Sequence, residues 1–447
     1  MPVASHIAEL EARGMSASSA RVAGPAFAQC DATLTAVGAS SDRWSIWVPG
    51  RIELFGKHTD YGGGRSLLTA VERGFTARAA RRTDGVVRVL DVTRNEQCEA
   101  VMGIGGPTRQ GEWSNYVATT ARRIGRDFPA LRRGADIALA SGLPSAAGLS
   151  SSSALIVTVA LALIRANGFT DSEQYAALFP DNETLAAYFG AVESGAPFGR
   201  LSADAGVGTL GGSEDHIAIL ACEPRCVSDY RFSPPRREGR YEISPAFTFV
   251  IGASGVTAHK TGAAQDRYNR VSLLLRHALD AWNTTRGESH TTMASVIDTV
   301  PGAATALAHV VAEAATPAFT AQALKDRVQH FVSESYRIVP AAADHLRRGA
   351  IAELGGLADE SQRLAETLLG NQTVETVSLQ RLARQAGAVA ASAFGAGFGG
   401  SVWAVVETDR AAEFAVTWER LYRSAHPLRA GRSRFFTTDA GPHAAMW

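Results

Sequence analysis

Apolar positions along the chain follow two rhythms, and the changes between them mark its elements. In the first half, "SIWVPGRIEL" near Ser45, "FTARAARR" near Phe75, "VVRVLDV" near Val86 and "ADIALAS" near Ala135 show the alternating or β-branched pattern of strands. Between and after them, "SNYVATTARRIGRDF" from Ser114, "SSSALIVTVALALIRANG" from Ser151 and "ETLAAYFGAVE" from Glu183 have helical length, with serine, asparagine or aspartate in front as caps. Strands and helices are not strictly interleaved, which predicts an α/β or α+β lobe. The stretch "FSPPRREGRYEISP" from Phe232, rich in proline and arginine, breaks the pattern and is the predicted boundary. The second half opens on a strand, "FTFVIGAS" at Phe247, and continues in long helical segments rich in alanine and leucine. It ends on a glycine-rich turn and a further strand, "GAGFGGSVWAVVE" from Gly395. No internal repeat or low-complexity tract interrupts it.

Length supports the two-lobed reading, because 447 residues exceed the ~250–300 at which single cores stop growing. Basic and acidic side chains balance at 44 each, without a one-sign block, so a small-molecule partner is expected rather than nucleic acid. Cys30, Cys98, Cys222 and Cys226 lack the paired spacing of a zinc site and are expected to be reduced thiols. The longest apolar run, Ala154 to Ile164, is too short for a bilayer, and the first residues do not read as a signal peptide. A cytoplasmic protein without membrane contact is expected. Only three of the 44 basic residues are lysines (Lys57, Lys260 and Lys325), so a lysine inside a motif stands out.

Four segments carry chemistry. In "LPSAAGLSSSSALIV", Leu143 to Val157, small residues lead into a serine run that opens a helix, whose unpaired first-turn amides suit an anion such as phosphate. The serine hydroxyls add donors and a ligand for Mg²⁺. The ending GKS or GKT of a Walker A loop is absent, so a nucleotide fold of another kind is implied. In "VESGAPFGRLSADAGVGTLGGSEDHIAIL", Val192 to Leu220, Glu193 closes a helix and Glu214, Asp215 and His216 stand before an apolar run, where a carboxylate can act as a general base. "SAFGAGFGGSVWAV" from Ser392 offers a backbone open to close approach. Taken singly, these three read equally as an N-cap, a turn with solvated acids and a tight turn. The fourth, "GRIELFGKHTDYGGG" from Gly50 to Gly64, sets a lysine among turn formers.

Together they resemble a known family. "PGRIELFGKHTDYGGG" is similar to the sugar-binding signature of galactokinases, usually PGRVNLIGEHTDYNGG, while "LPSAAGLSSSSAL" and "FGAGFGGSVWAV" resemble the second and third motifs of the GHMP kinase superfamily. "WSNYV" at Trp113, "GVTAHKTGAAQDRYNRV" from Gly255 and "LGNQTVETVSLQRLARQAGA" from Leu369 look like the segments between them, so the resemblance runs over about residues 40 to 440. It implies an α+β, two-lobed GHMP kinase fold. The N-terminal α/β lobe, over residues 41–240, would resemble domain 2 of ribosomal protein S5, and a C-terminal α+β lobe over 241–447 would follow a 1–40 extension, with the active site in the cleft between lobes.

The resemblance also implies an ATP- and Mg²⁺-dependent sugar 1-kinase, a monomer or weak homo-oligomer, with a small-molecule sugar as partner. Asp215 matches the aspartate of the family's MDQ segment, the base that takes the proton of the anomeric hydroxyl, and Arg51 the arginine that steadies the transferred phosphoryl group. Ser152 and Glu193 match the metal-binding pair. Gly148, Leu149, Ser150, Ser151, Ser152 and Ser153 would cradle the phosphates, with Trp113 and Asn115 near the adenine or ribose. His58, Asp60 and Tyr61 match the sugar-binding HTDY segment, with Gly212 and Tyr268 as further sugar contacts. Glu53 stands where asparagine is usual, His216 where glutamine is usual, the segment from Glu193 to Asp215 is longer by about ten residues, and Lys57 replaces the glutamate of GEHTDY. That last departure opens a second reading, a galacturonate or glucuronate kinase in which Lys57 meets the sugar carboxylate. A non-catalytic sugar sensor is a third, set against the intact Arg51, Asp215 and Glu193. Another phosphorylation within the superfamily, of mevalonate or homoserine, would leave HTDYGGG without a purpose.

Overall fold

The computed structural model describes residues 1–107, 112–144, 147–256 and 263–447. Among the described residues twelve strands form two sheets, beginning with β1 (Arg43–Phe55), β2 (Arg65–Arg81), β3 (Val86–Asp91), β4 (Glu96–Val101) and β5 (Ala135–Ser141). There follow β6 (Cys226–Arg231), β7 (Arg236–Glu242), β8 (Phe247–Ala253), β9 (Ala390–Ala393), β10 (Ser401–Glu407), β11 (Arg434–Thr438) and β12 (Ala445–Met446). The larger sheet runs β12-β1-β2-β5-β3-β4, with β6 also paired to β2 and β7 to β6; the smaller runs β11-β8-β10-β9. All pairings are antiparallel except β3 with β5.

The predicted strands near Ser45, Phe75, Val86 and Ala135 are β1, β2, β3 and β5, and the three predicted helices are Ser114–Asp127, Ser151–Ala166 and Asn182–Ser194. The proline- and arginine-rich stretch from Phe232 is no linker. It turns the β6–β7 hairpin of the larger sheet, and the chain crosses to the smaller sheet between Glu242 and Phe247. The last strand then returns, pairing Met446 with Ile46 and Ala445 with Trp47, so the first lobe is completed by the end of the chain. Residues 1–40 fold into two helices, Val3–Ala12 and Ala17–Ala36. Leu10 and Phe27 pack with Trp47, while Cys30 and Leu34 pack with Ala80 and Ala138, which covers one face of the larger sheet with apolar area. Glu72 of β2 holds the start of the second helix, accepting from Ser16 Oγ at 2.6 Å and Ser19 Oγ at 2.7 Å.

A single buried cluster runs through both lobes, from Ile46, Ile137 and Val157 to Ile338, Leu354 and Trp403. Helix Ser151–Ala166 is buried on nearly every side, as its almost unbroken apolar sequence requires. Its start therefore sits at a fixed place beneath the cleft. The four cysteines are free thiols. Among the described residues no helix is long and apolar enough to cross a membrane.

Candidate active site

β1 does not run straight into the cleft. Its pairing with β2 shifts register between Pro49 and Arg51 and again between Glu53 and Phe55, and such bulges re-aim the side chains beside them. Arg51 and Glu53, between the two shifts, both line a cleft whose cavity volume is about 50 Å³. The turn after β1 adds His58, Asp60 and Tyr61, the start of helix Glu214–Ala221 adds Glu214 and Asp215, and Glu193 comes from the end of Asn182–Ser194. Tyr268 and the glycine turn after β9 complete the cleft from the second lobe.

The core of the site is an ion pair. Arg51 is 3% exposed; its Nε and Nη2 reach Asp215 Oδ1 at 2.8 and 2.7 Å, and its Nη1 donates to the Gly148 carbonyl at 2.5 Å. Burial alone would push the Arg51 pKa down, but Asp215, Glu53 and Glu214 outweigh it and hold the guanidinium charged. Asp215 Oδ2 accepts from Ser153 Oγ at 3.3 Å, and the same hydroxyl reaches Glu193 Oε2 at 2.8 Å. Arg51, Asp215, Ser153 and Glu193 thus form one connected array across four elements.

In this array the serine that meets Glu193 is Ser153. Ser153 faces Glu193, whereas Ser152 lies beside the hydroxyl of Tyr116. Neighbouring residues on a helix point about 100° apart, so only one of the two serines can meet Glu193. Among the described residues no cluster of three histidine, cysteine, aspartate or glutamate side chains is placed to hold a metal. Mg²⁺ asks for less, since it keeps waters and phosphate oxygens and needs one or two protein carboxylates or hydroxyls. The Glu193 carboxylate and Ser153 hydroxyl are hard oxygen donors of that kind.

The serine loop is shaped for an anion. Gly148 and Ser150 both have positive φ, 75° and 58°, which turns the backbone into the first turn of Ser151–Ala166, and the buried Ser150 hydroxyl has no partner among the described residues. An orphan donor beside free helix amides fits a phosphate. Leu149 is buried and Ser151 and Ser152 are half-buried. Two residues of this motif, Ser145 and Ala146, lie outside the described residues, as do 257–262 of the segment that began at Gly255. Asn115 Nδ2 donates to the Val207 carbonyl at 3.2 Å, and Trp113 packs half-buried against the core.

On the sugar side, Asp60 is buried and accepts from the Glu214 N–H at 3.2 Å. Gly212 allows that approach, because a Cβ there would stand 2.3 Å from Asp60 Oδ2. Burial raises the Asp60 pKa. His58 meets the Ala396 carbonyl at 3.2 Å and the Tyr61 hydroxyl at 3.3 Å, and its ring lies 5.6 Å from that of Tyr268. Arg327, unnoticed in the sequence, clamps this turn by donating to the His58 carbonyl and, at 3.1 Å, to the Tyr61 hydroxyl. It is fully buried, yet its helix carries no motif that would have marked it.

Lys57 behaves unlike its neighbours. It is 1% exposed, its Nζ donates to Ser361 Oγ at 2.6 Å, and Ser361 passes the bond on to Glu334 Oε1 at 2.5 Å. Glu334 Oε2 in turn accepts from the Gly56 N–H at 3.0 Å. The ammonium is thus spent inside the second lobe and does not line the cleft.

Two lobes with a serine-loop helix and an arginine–aspartate pair at their junction define a GHMP-type small-molecule kinase, and comparison with known proteins agrees. Residues 115–196 match the model of the GHMP kinases N terminal domain, 342–423 that of the GHMP kinases C terminal domain, and 36–81 the galactokinase galactose-binding signature. A galactokinase of Chloroflexus aggregans is 27% identical over 397 residues, covering 86% of this chain and 88% of the relative. That of Actinobacillus pleuropneumoniae serotype 5b is 33% identical over 115 residues, 26% of this chain and 30% of the relative. The fold is shared with Lactococcus lactis galactokinase complexed with galactose (TM-score 0.73, 20% identity, 94% of this chain and 98% of the other). It is shared more distantly with Methanococcus jannaschii mevalonate kinase (TM-score 0.52, 14% identity, 90% and 99%). The chain carries the N- and C-terminal domains of the GHMP kinases together with the galactokinase galactose-binding signature, and is a galactokinase-type sugar kinase.

Proposed function

We propose that the chain transfers the γ-phosphoryl group of ATP to the anomeric hydroxyl of galactose or a closely related pyranose. The observation that carries this reading is the Arg51–Asp215 pair at the cleft, with Ser153 and Glu193 on one side and Asp60 on the other. Asp215 is the base: with Oδ1 fixed by Arg51, its Oδ2 is turned toward Ser153 and the cleft, where it can take a hydroxyl proton. Arg51, shared between Asp215 and the Gly148 carbonyl, holds a fixed positive charge at the boundary between the serine loop and the sugar end. ATP with Mg²⁺ supplies the phosphoryl group and part of its charge neutralisation. Glu193 with Ser153 would hold the metal and the amides and hydroxyls of Gly148 to Ser153 the phosphates. The protein's task is then mostly positioning and electrostatics, as phosphoryl transfer requires.

Asp60 orients the sugar by accepting from its hydroxyls, and an epimer would leave that buried acceptor unpaired. The uronate alternative draws no support from Lys57, whose ammonium is engaged by Ser361. The sensor alternative is disfavoured because every group needed for transfer stands in one connected array. A coupled ADP-release assay across a panel of sugars tests the reading. Turnover is expected with galactose-like pyranoses, and ATP turnover stimulated by none of them would overturn it.

A further inference from the structure

We infer that His216 is a nitrogen ligand of the divalent cation held at Glu193 and Ser153, and that it turns the preference of that site from Mg²⁺ toward Mn²⁺. This rests on the sugar-kinase reading above and goes beyond it in naming the ion and a third ligand.

The first support is placement. His216 follows Asp215 on helix Glu214–Ala221, so its side chain leaves the helix about 100° away from that of the base. It is 1% exposed and lines the cleft. Helix Asn182–Ser194 comes close enough to meet it because Gly190 has no side chain: a Cβ there would stand 2.9 Å from the Ser213 Cα. One turn beyond Gly190, Glu193 Oε2 lies 3.2 Å from His216 Nε2 and 2.8 Å from Ser153 Oγ. Neighbouring ligands of an octahedral ion with bonds of about 2.1 Å stand about 3.0 Å apart, so both separations suit atoms of one coordination shell.

The second support is the direction of the imidazole. A buried histidine–glutamate pair is ordinarily joined by a hydrogen bond, yet neither ring nitrogen of His216 makes one among the described residues; Nε2 comes near Oε2 without pointing at it. Polar atoms buried in that state are costly, and a cation that takes the nitrogen lone pair recovers the cost. Atoms that lie side by side without being aimed at one another are disposed as the ligands of a common ion are. The change of ion follows from the atom type. Ser153 and Glu193 supply the hard oxygens that Mg²⁺ accepts, and glutamine, usual at this place in the resembling family, offers one more. An imidazole nitrogen instead favours first-row transition ions, of which Mn²⁺ keeps the octahedral shape and the liking for carboxylate and phosphate oxygens.

The test is pulsed electron paramagnetic resonance of Mn²⁺ bound to the full chain with the β,γ-methylene analogue of ATP, with and without ¹⁵N-labelled histidine in the protein. Modulation from a directly bound nitrogen is expected in wild type. It should change to the ¹⁵N pattern on labelling, which separates histidine from the nitrogens of adenine, and should be lost in His216→Gln. Calorimetric titration of the same complex with Mn²⁺ and with Mg²⁺ should show His216→Gln lowering the ratio of Mn²⁺ to Mg²⁺ affinity about tenfold. The labelled wild-type spectrum decides the ligand even if the variant fails to fold. Bound Mn²⁺ without a histidine nitrogen would overturn the proposal, as would a histidine signal or an affinity ratio unchanged in folded His216→Gln. ATP turnover with galactose in the same preparation would then leave the sugar-kinase reading intact. A chain that neither binds the metal–nucleotide complex nor turns over ATP with any sugar would overturn both.

Discussion

Arg51 grips a single oxygen of Asp215: Nε and Nη2 both point at Oδ1, at 2.8 and 2.7 Å, and Oδ2 is left to Ser153 at 3.3 Å. The asymmetry distinguishes the two oxygens, Oδ1 carrying the guanidinium and Oδ2 meeting a hydroxyl. A lysine in place of Arg51 could not span Asp215 and the Gly148 carbonyl with a rigid fork.

Asp215→Asn should lower kcat at least ~100-fold, the scale of a lost general base, while the fold is kept. Arg51→Lys should cost about 100–1000-fold, the scale of a lost charge stabiliser. Steady-state kinetics beside circular dichroism checks both. An Asp215→Asn enzyme retaining more than about a tenth of wild-type kcat would remove Asp215 from the role of base.

The two neighbouring serines should separate cleanly in a Mg²⁺ titration. Ser153→Ala and Glu193→Gln are each expected to raise the Mg²⁺ concentration for half-maximal activity, and the double variant to fall short of additivity, because both act at one point. Ser152→Ala, at the serine that lies beside Tyr116 and not Glu193, should shift that concentration less. Equal shifts for Ser152→Ala and Ser153→Ala would reverse the assignment.

Lys57→Met should act on stability and leave specificity alone. Removing the ammonium takes away the charged donor to Ser361 and, through that hydroxyl, the support of the buried Glu334, a loss of roughly 1–3 kcal/mol. Urea denaturation would measure it, and the ratio of kcat/KM for galactose and galacturonate should not move. A changed ratio would mean that Lys57 reads the sugar after all.

A fourth expectation concerns pH. Asp229 on β6 is buried, its Oδ1 has no partner, and burial with the nearby Glu238 raises its pKa to about 7. A carboxyl whose folded pKa lies above the unfolded value favours the native state while protonated, so its contribution falls as pH rises from about 4 to about 7. Asp229→Asn, neutral at every pH, should match wild type near pH 4 and become the more stable of the two above pH 7. Thermal unfolding at both values tests the sign, and a difference that does not change with pH would show that Asp229 titrates normally.

The sequence by itself determined those parts of the site that are built from neighbours along the chain. The turn from His58 to Tyr61, the serine-capped start of Ser151–Ala166 and the carboxylates opening Glu214–Ala221 are local, so their residue types and the apolar runs behind them carry the information. The tertiary structure decided what depends on direction and distance. Ser152 and Ser153 are equivalent as letters, and only the rotation of a buried helix assigns one to Tyr116 and the other to Glu193. The lysine stem of Lys57 is long enough to face the sugar or the core, and Ser361 and Glu334, some 300 residues away, turn it inward. Arg327 reaches the HTDY turn, Glu53 comes to lie beside Glu214, and β12 closes the first sheet, all through contacts between residues far apart in the chain. A periodic pattern says which face of an element is buried, and the partner that covers that face is settled only when the whole chain packs.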